Sequence, residues 1–286
     1  MYKNYKVESS CGIDLDVNYY EERGDKGLIQ ILHGMQEHKE RYDEFAKYLV
    51  ERGYRVVIHD HLGHGKSISS KHPLGDMVSL YNLIEDIHIV RNKFSFDDNY
   101  ICLGHSMGSF LARIYASKYP VKTLILSGTG SPSSVQSRLL KILLKFQNRK
   151  IPLENIQRLV VGPYEKHFKN PMDWLSLNRE NQFSYAKDPL CGKPFTREGY
   201  EVLGDIVINL NKTDTFKKCT SDKIFLISGE SDPVGDFGKG VNKVYKSYKN
   251  IDRELSLKIY QNMSHEILNE INNIEVYKDI LKFLEK

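Results

Sequence analysis

The sequence predicts an α/β fold built on a mostly parallel sheet, and two patterns lead to this prediction. Short apolar runs alternate along the chain with longer segments whose apolar residues recur at helical spacing, as in strands joined by helices. The alternation stops near residue 130 and resumes after residue 205, and the residues between contain helical patterns, six prolines and no convincing strand. We therefore predict one α/β core, residues 1–129 and 206–286, interrupted by a helical insertion, residues 130–205.

The core elements follow from these two periodicities, taken in chain order. Two short segments at the front, residues 5–8 and 15–21, are expected to pair as an antiparallel edge. Compact apolar runs then predict strands, and segments with one apolar face, such as that of Phe45, Tyr48 and Leu49, predict helices. The predicted strands are residues 28–32, 54–58, 100–103, 122–127, 223–228 and 255–260. The predicted helices are residues 40–52, 78–94, 107–118, 238–248 and 274–284.

Composition and charge exclude several classes of protein. The 286 residues hold 41 Lys and Arg against 37 Asp and Glu, and the excess is scattered, so we expect no nucleic-acid partner. No apolar run approaches the roughly 18 residues of a membrane span. The N-terminal residues lack the apolar stretch of a secretory signal, so we expect a cytoplasmic protein. Four widely spaced cysteines indicate neither a disulfide scaffold nor a zinc site.

The strongest local motif is G-H-S-M-G at residues 104–108, between a predicted strand and a predicted helix. A nucleophilic serine at such a sharp turn needs small neighbours, and Gly104 and Gly108 provide them on either side of His105 and Ser106. The turn also directs the first N–H groups of the helix toward the place where an oxyanion would form. This context favours Ser106 as a nucleophile over an idle serine in a tight turn.

A serine nucleophile needs a base, and the base needs a carboxylate to orient it. His265 and Asp232 each follow a predicted strand, and the carboxyl ends of parallel strands meet at one edge of a sheet. We therefore expect Ser106, Asp232 and His265 to converge. Glu230 is the rival carboxylate, and Asp232 is preferred because the turn-forming Asp-Pro places it later in the loop.

The oxyanion needs two hydrogen-bond donors. In this kind of site they are the N–H after the nucleophile and an N–H from the loop after an earlier strand. The predicted pair is therefore the backbone N–H groups of Met107 and Met35.

Three segments together resemble the monoacylglycerol lipase and lysophospholipase branch of the α/β-hydrolase superfamily. They are G-H-S-M-G at residues 104–108, H-G-M-Q-E-H at residues 33–38 with Arg41 and Tyr42 behind it, and D-H-L-G-H-G-K-S at residues 60–67. The resemblance spans the core on both sides of the insertion. It implies an α/β-hydrolase fold with an eight-stranded, mostly parallel sheet and a helical cap after the sixth strand. It also implies serine esterase activity on lipid monoesters with no cofactor and no metal.

The resemblance also assigns supporting residues. The family's H-G-x-x-E-H segment supplies an oxyanion N–H, which corresponds to Met35, and its supporting glutamate, histidine and arginine correspond to Glu37, His38 and Arg41. The chain departs from the family at Ser109, where a second glycine is usual. The insertion is the least matched region, and because a cap shapes the substrate pockets, the acyl length and head group stay open.

The run His59-Asp60-His61-Leu62-Gly63-His64 allows a second interpretation, because its histidines and aspartate resemble the ligands of a binuclear metallohydrolase. That ligand set requires an aspartate at the position of Gly63. The glycines instead suit a turn-rich loop after a central strand. We therefore expect no metal here.

The insertion begins with an amphipathic segment, residues 137–150, which has an apolar face and a basic face. We expect a cap helix packed on the core; the alternative is a helix that touches an anionic lipid surface and guides a lipid substrate inward. The single tryptophan, Trp174, is expected in the packed interior of the insertion. The apolar residues are Leu139, Ile142, Leu143 and Phe146, and the basic ones are Arg138, Lys141, Lys145 and Arg149.

The sequence thus predicts a serine esterase or lipase whose partner is a small lipid or ester substrate, with the oligomeric state open. Three alternatives stay open. A serine aminopeptidase would use the same residues but needs an acidic group for the free amine, such as Glu154 or Asp173. A receptor on the same scaffold would bind its ligand without turnover, and a metallohydrolase would lose activity in a chelator.

Overall fold

The computed structural model describes residues 2–22, 25–96, 98–148, 151–249 and 253–286. The strands of the sheet lie close to the predicted positions. They are β1 Tyr2–Glu8, β2 Asp14–Tyr20, β3 Leu28–Leu32, β4 Arg55–His59, β5 Tyr100–His105, β6 Thr123–Ser127, β7 Lys223–Gly229 and β8 Glu254–Tyr260.

The strands form one eight-stranded sheet in the order β1-β2-β4-β3-β5-β6-β7-β8. The pairs β1–β2 and β2–β4 are antiparallel, and every other neighbouring pair is parallel. The predicted antiparallel edge is therefore confirmed, as is the mostly parallel sheet. Because β3 and β5 to β8 run in the same direction, the loops that follow them emerge at one edge of the sheet.

The helices include every predicted core helix and several more. They are α1 Asp43–Val50, α2 Leu80–Phe94, α3 Met107–Ala116, α4 Ser134–Leu144, α5 Glu154–Glu165, α6 Arg179–Lys187, α7 Arg197–Leu210, α8 Thr213–Lys217, α9 Lys239–Tyr248 and α10 Asn273–Leu284. The first turn of the helix predicted over residues 40–52 is a 3-10 turn, Lys39–Tyr42.

The sheet buries apolar side chains on both faces, as expected for parallel strands covered by helices. Alternate residues of each strand point to opposite faces, so Leu28 packs with α2 and α3 in one buried cluster. Its neighbour Ile29 packs with α1 and α10 in a second cluster on the opposite face. These two layers hold the strand ends in fixed positions.

In its described part, the chain between β6 and β7 contains helices α4 to α8, joined by loops, and no strand. Helix α7 packs against α4 and also against α3 and α2, and so joins the insertion to the core. The predicted boundary at residue 205 falls inside α7, and the division into core and cap remains a prediction. The segment predicted to be helical over residues 137–150 ends earlier, at Leu144, and Arg149 lies outside the described residues.

None of the helices in the described ranges has both the length and the apolar character needed to cross a membrane.

Candidate active site

Ser106 occupies a sharp turn between β5 and α3. Its backbone has φ 52° and ψ −121°, a conformation that non-glycine residues rarely adopt. A Cβ on Gly104 would collide with the carbonyl of Gly108, and a Cβ on Gly108 would collide with the carbonyl of Leu32. Both glycines are therefore steric requirements of the turn, and the strain places the Ser106 side chain at the carboxyl edge of the sheet.

His265 and Asp232 meet in a buried pair after β8 and β7. The distance from His265 Nδ1 to Asp232 Oδ1 is 2.9 Å, and the side chains are 3% and 0% exposed. Asp232 also accepts hydrogen bonds from the Val234 N–H, at 2.9 Å, and from the Ser228 hydroxyl, at 3.2 Å. The rival carboxylate, Glu230, is exposed. Of the two, Asp232 is the one that contacts the histidine.

The pair has the electrostatics of a base with an orienting carboxylate. Burial opposes ionisation of both groups, and their mutual attraction outweighs it. The pKa of Asp232 is lowered despite burial, because His265 and the Val234 N–H stabilise the carboxylate. The pKa of His265 is raised despite burial, mainly by the charge and hydrogen bond of Asp232.

Ser106 and His265 line the same small cavity, whose volume is about 20 Å³, together with Met35 and Trp174. Among the described residues the Ser106 hydroxyl has no hydrogen-bond partner. The hydrogen bond between a nucleophile and its base is often long in the free enzyme and shortens only when substrate binds. The Trp174 ring lies 5.6 Å from the His265 ring. The expectation that Trp174 is interior packing of the insertion is wrong, because its ring lies against the histidine and lines the cavity.

The residues predicted to bind the oxyanion lie on either side of Ser106. Met107 is the first residue of α3, so its N–H has no partner within the helix. Met35 lies in the loop after β3, which runs directly against the serine: a Cβ on Gly34 would be 3.0 Å from the Ser106 Cβ. Met35, Ser106 and Met107 line one large cavity.

The buried Glu37 side chain stabilises the loop that contains Met35. Its carboxylate accepts hydrogen bonds from the Gly34 N–H, at 2.5 Å, the Tyr42 hydroxyl, at 2.8 Å, and Arg41 Nε, at 3.1 Å. His105 Nε2 lies 4.0 Å from the same carboxylate. Glu37 therefore fixes the backbone that carries the Met35 N–H.

Arg41 connects this loop to two other parts of the chain. Its guanidinium donates to the Glu266 carboxylate, next to His265 in sequence, and to Asn181 Oδ1 in α6, at 3.1 Å. The Asn181 side chain donates in turn to Glu266 at 2.7 Å. Opposite charges and hydrogen bonds thus link the Met35 loop, the His265 loop and the insertion.

His38 forms a second link to the insertion. Its ring nitrogens lie 2.7 Å from Glu40 and 2.7 Å from Asp188, which follows α6. Burial would lower the pKa of His38, but hydrogen bonds with Cys191 and with the two carboxylates raise it to about 11. The imidazolium therefore stays charged and binds the insertion to the core.

Sequence reasoning missed Glu266 and Asn181, although they complete the Arg41 network. Glu266 directly follows the candidate base, and a buried arginine requires carboxylate partners, so the charge of Arg41 was the available signal. Asn181 lies in α6, a helix that apolar periodicity did not predict because only one of its residues, Gln182, is buried.

The histidines of residues 59–64 do not converge on one point. His59 and His61 pack edge to face with ring centroids 4.9 Å apart, and the rings of His61 and His64 are 6.3 Å apart. Asp60 instead forms an ion pair with the fully buried Lys39, at 3.0 Å. Within the described ranges, the groups whose donor atoms are close enough to share a metal ion both contain His38, which already bonds to two carboxylates.

Comparison with known proteins identifies the family. The sequence pattern of the serine aminopeptidase S33 family matches residues 24–272. The chain belongs to this family. It is an α/β-hydrolase of the monoacylglycerol lipase branch, a hydrolase of the lipase and esterase type.

Individual relatives cover nearly the whole chain. Monoglyceride lipase of Homo sapiens is 26% identical and is aligned over 87% of this chain and 78% of its own length. Proline iminopeptidase PfmaB of Pestalotiopsis fici is 31% identical over 92% of this chain and 93% of its own. The crystal structure of a highly thermostable carboxyl esterase from Bacillus coagulans, in complex with glycerol, superposes with a TM-score of 0.89 at 26% identity. That match covers 99% of this chain and 98% of the esterase.

Proposed function

We propose that this protein is a serine esterase that hydrolyses lipid monoesters, with Ser106 as nucleophile, His265 as base and Asp232 as its orienting carboxylate. The observation that carries the proposal is the buried His265–Asp232 pair, whose histidine lines a cavity together with a strained Ser106. That cavity adjoins a larger one suited to an acyl chain.

The proposed mechanism has two acyl transfers. In the first, Ser106 Oγ attacks the ester carbonyl while His265 Nε2 takes its proton, and the N–H groups of Met35 and Met107 bind the oxyanion. The imidazolium then gives that proton to the departing alcohol, which leaves an acyl-serine. In the second, His265 removes a proton from water, the hydroxide displaces Ser106, and the serine recovers its proton as the acid departs.

The larger cavity supports a lipid as substrate. Its volume is about 1050 Å³, and it extends from Ser106 between α4, α5 and α7. Leu140, Val160 and Val207 are among the apolar side chains that line it. A single acyl chain would bury apolar surface along this wall, which favours monoesters with long chains over small polar esters.

Exposed apolar side chains of α4, among them Leu139 at the cavity, support contact with a membrane surface as part of the same proposal. Val135, Leu139 and Ile142 are 54–62% exposed, and Phe146, just beyond the helix, is 83% exposed. An apolar strip flanked by basic side chains suits an interface with anionic lipid. Such contact would bring the cavity to its substrate.

The test is hydrolysis of an ester series from short to long acyl chains, including a long-chain monoacylglycerol. Ser106→Ala should lose about 10³-fold or more of wild-type activity while keeping the fold. Ser117→Ala, at the other end of α3, is the matched control and should keep full activity. Rates that rise with chain length support a lipid monoesterase, whereas a fully active Ser106→Ala variant would refute Ser106 as the nucleophile.

An aminopeptidase with the same residues is the second candidate, favoured by the similarity to a proline iminopeptidase. A peptidase of this type needs an acidic group for the substrate's amine. The side chain of Glu154 is exposed, Asp173 pairs with Arg179, and neither lines the two cavities around Ser106. Amino-acid naphthylamides belong in the same assay, and turnover of these without ester turnover would favour the peptidase.

A further inference from the structure

Two lysines lie at the polar side of the large cavity, on the first two turns of α9. Lys239 and Lys243 are four residues apart, so they share a face of the helix, and both line the cavity that contains Ser106. Of the described residues around this cavity, Asp236 alone carries a carboxylate. Among the described residues, neither lysine forms an ion pair.

This placement does not stabilise the helix. Lys239 is the first residue of α9, where the positive end of the helix dipole repels a cation, and Lys243 adds a like charge one turn later. The first turn of α9 contains no acidic residue to offset them. Both side chains are exposed and both line the cavity, so their charges are open to an anionic group of a ligand bound there.

A short stretch of chain leads from the turn at Ser106 to the start of α9. The Ser106 N–H donates to the Ser127 carbonyl at 3.0 Å, and the four residues on to Ser131 span at most about 14 Å. A Cβ on Gly240, between the two lysines, would lie 3.5 Å from the Ser131 nitrogen. Ser106, Ser131 and both lysines line one continuous cavity.

The lining of the cavity is apolar in one part and polar in another. Leu143, Leu203 and Val207 line it between α4 and α7, whereas Ser131, Ser133 and the lysines line it between the start of α4 and the start of α9. An acyl chain suits the first part. The alcohol half of the ester would then lie toward the second.

We infer that Lys239 and Lys243 bind the phosphate group of an anionic lipid monoester, so that a lysophospholipid with its phosphate on the alcohol side is the preferred substrate. The inference rests on the proposed ester hydrolysis for the orientation of the substrate. A neutral monoacylglycerol would occupy the same cavity without this contact.

Binding of two short ethers tests the inference without hydrolysis. Hexylglycerol and hexylglycerol phosphate stay monomeric and resist an esterase, and calorimetry gives Kd for each. Wild type should bind the phosphate compound about tenfold more tightly, the scale of two solvent-screened ion contacts, and the preference should shrink in high salt. The double variant Lys239→Gln, Lys243→Gln should lose the preference and keep its Kd for hexylglycerol.

The matched control is Lys246→Gln with Lys249→Gln, which removes the same charge from the other end of α9, away from the cavity lining. It should keep the preference. Equal binding of both ethers by wild type overturns the inference, as does an equal loss of preference in the control. A lysine effect seen only with vesicles containing phosphatidylglycerol would place the lysines at a lipid surface and also overturn it.

Hydrolysis of the corresponding hexanoyl esters separates this inference from the proposed function. Ser106-dependent hydrolysis with equal kcat/KM for the neutral and phosphate esters would refute the lysine site alone. A lysine-dependent binding preference without any hydrolysis would refute the esterase alone.

Discussion

His265 Nδ1 lies 2.9 Å from Asp232 Oδ1, with both side chains buried. Asp232→Asn keeps the shape of the side chain but removes the charge that stabilises the imidazolium, and an amide nitrogen facing Nδ1 favours the wrong tautomer. We expect kcat/KM for a soluble ester to fall by about 10³-fold or more while the melting temperature stays close to that of wild type. A variant with more than a tenth of wild-type kcat/KM would contradict the role of Asp232.

The His265–Asp232 pair also determines how the activity depends on pH. His265 must be neutral to take the serine proton. Burial lowers the pKa of His265, but the charge of Asp232 outweighs burial and raises this pKa above its ordinary 6.5. Activity should therefore rise with pH and reach half its maximum above pH 6.5. In Asp232→Asn the residual activity should reach its midpoint at lower pH, because burial then acts without the carboxylate. An unchanged midpoint would show that another group controls the acid limb.

Gly128 leaves room for the histidine. Its φ is +57°, and a Cβ there would lie 2.9 Å from His265 Cε1 and 3.2 Å from His105 Cε1. Gly128→Ala should lower kcat at least tenfold by displacing the imidazole. Gly12→Ala is the control, because Gly12 has φ +77° and no atom within 4 Å of the added Cβ. Both variants should lose about 1–3 kcal/mol of stability from backbone strain, but only Gly128→Ala should lose activity.

The fold was predictable because apolar periodicity dominates it. Strand β3 lies at the predicted residues 28–32, since a fully buried strand reads as a continuous apolar run. The turn at Ser106 in the candidate site was predictable because Gly104 and Gly108 are steric requirements that leave a local motif. Helix α6 and Trp174 were not, because their positions depend on tertiary contacts with Glu266 and His265 that no local pattern encodes.

Arg41 should be important for stability as well as for the site. Its removal in Arg41→Met leaves Glu37 and Glu266, each 3% exposed, as buried carboxylates without their guanidinium. We expect a loss of about 3–5 kcal/mol in the free energy of unfolding, measured by chemical denaturation. Lys218→Met, which breaks the exposed pair with Asp214, should leave the free energy of unfolding close to that of wild type, because solvent screens an exposed pair.

A second substitution separates the loss of charge pairing from a loss of packing. Adding Glu266→Gln to Arg41→Met removes one of the two unpaired charges, so the double variant should be more stable than Arg41→Met alone. If the two substitutions instead destabilise additively, the Arg41 side chain contributes by packing rather than by charge.

The buried histidines near β4 should make the fold sensitive to acid. His59 has no exposed surface and, among the described residues, no hydrogen-bond partner for either ring nitrogen. Burial, with the charge of Lys39, lowers its pKa to about 3. Because the folded pKa lies below the ordinary 6.5 of the unfolded chain, this histidine contributes stability above pH 6.5 that is lost as the pH falls toward 3.

His59→Phe keeps an aromatic ring against His61 and removes that proton uptake. Between pH 6 and 4 the unfolding free energy of wild type should therefore fall more steeply than that of the variant, by about 1.4 kcal/mol per pH unit. His167→Phe, which removes an exposed histidine instead, is the control. Parallel curves for wild type and His59→Phe would show that His59 is already protonated in the folded chain.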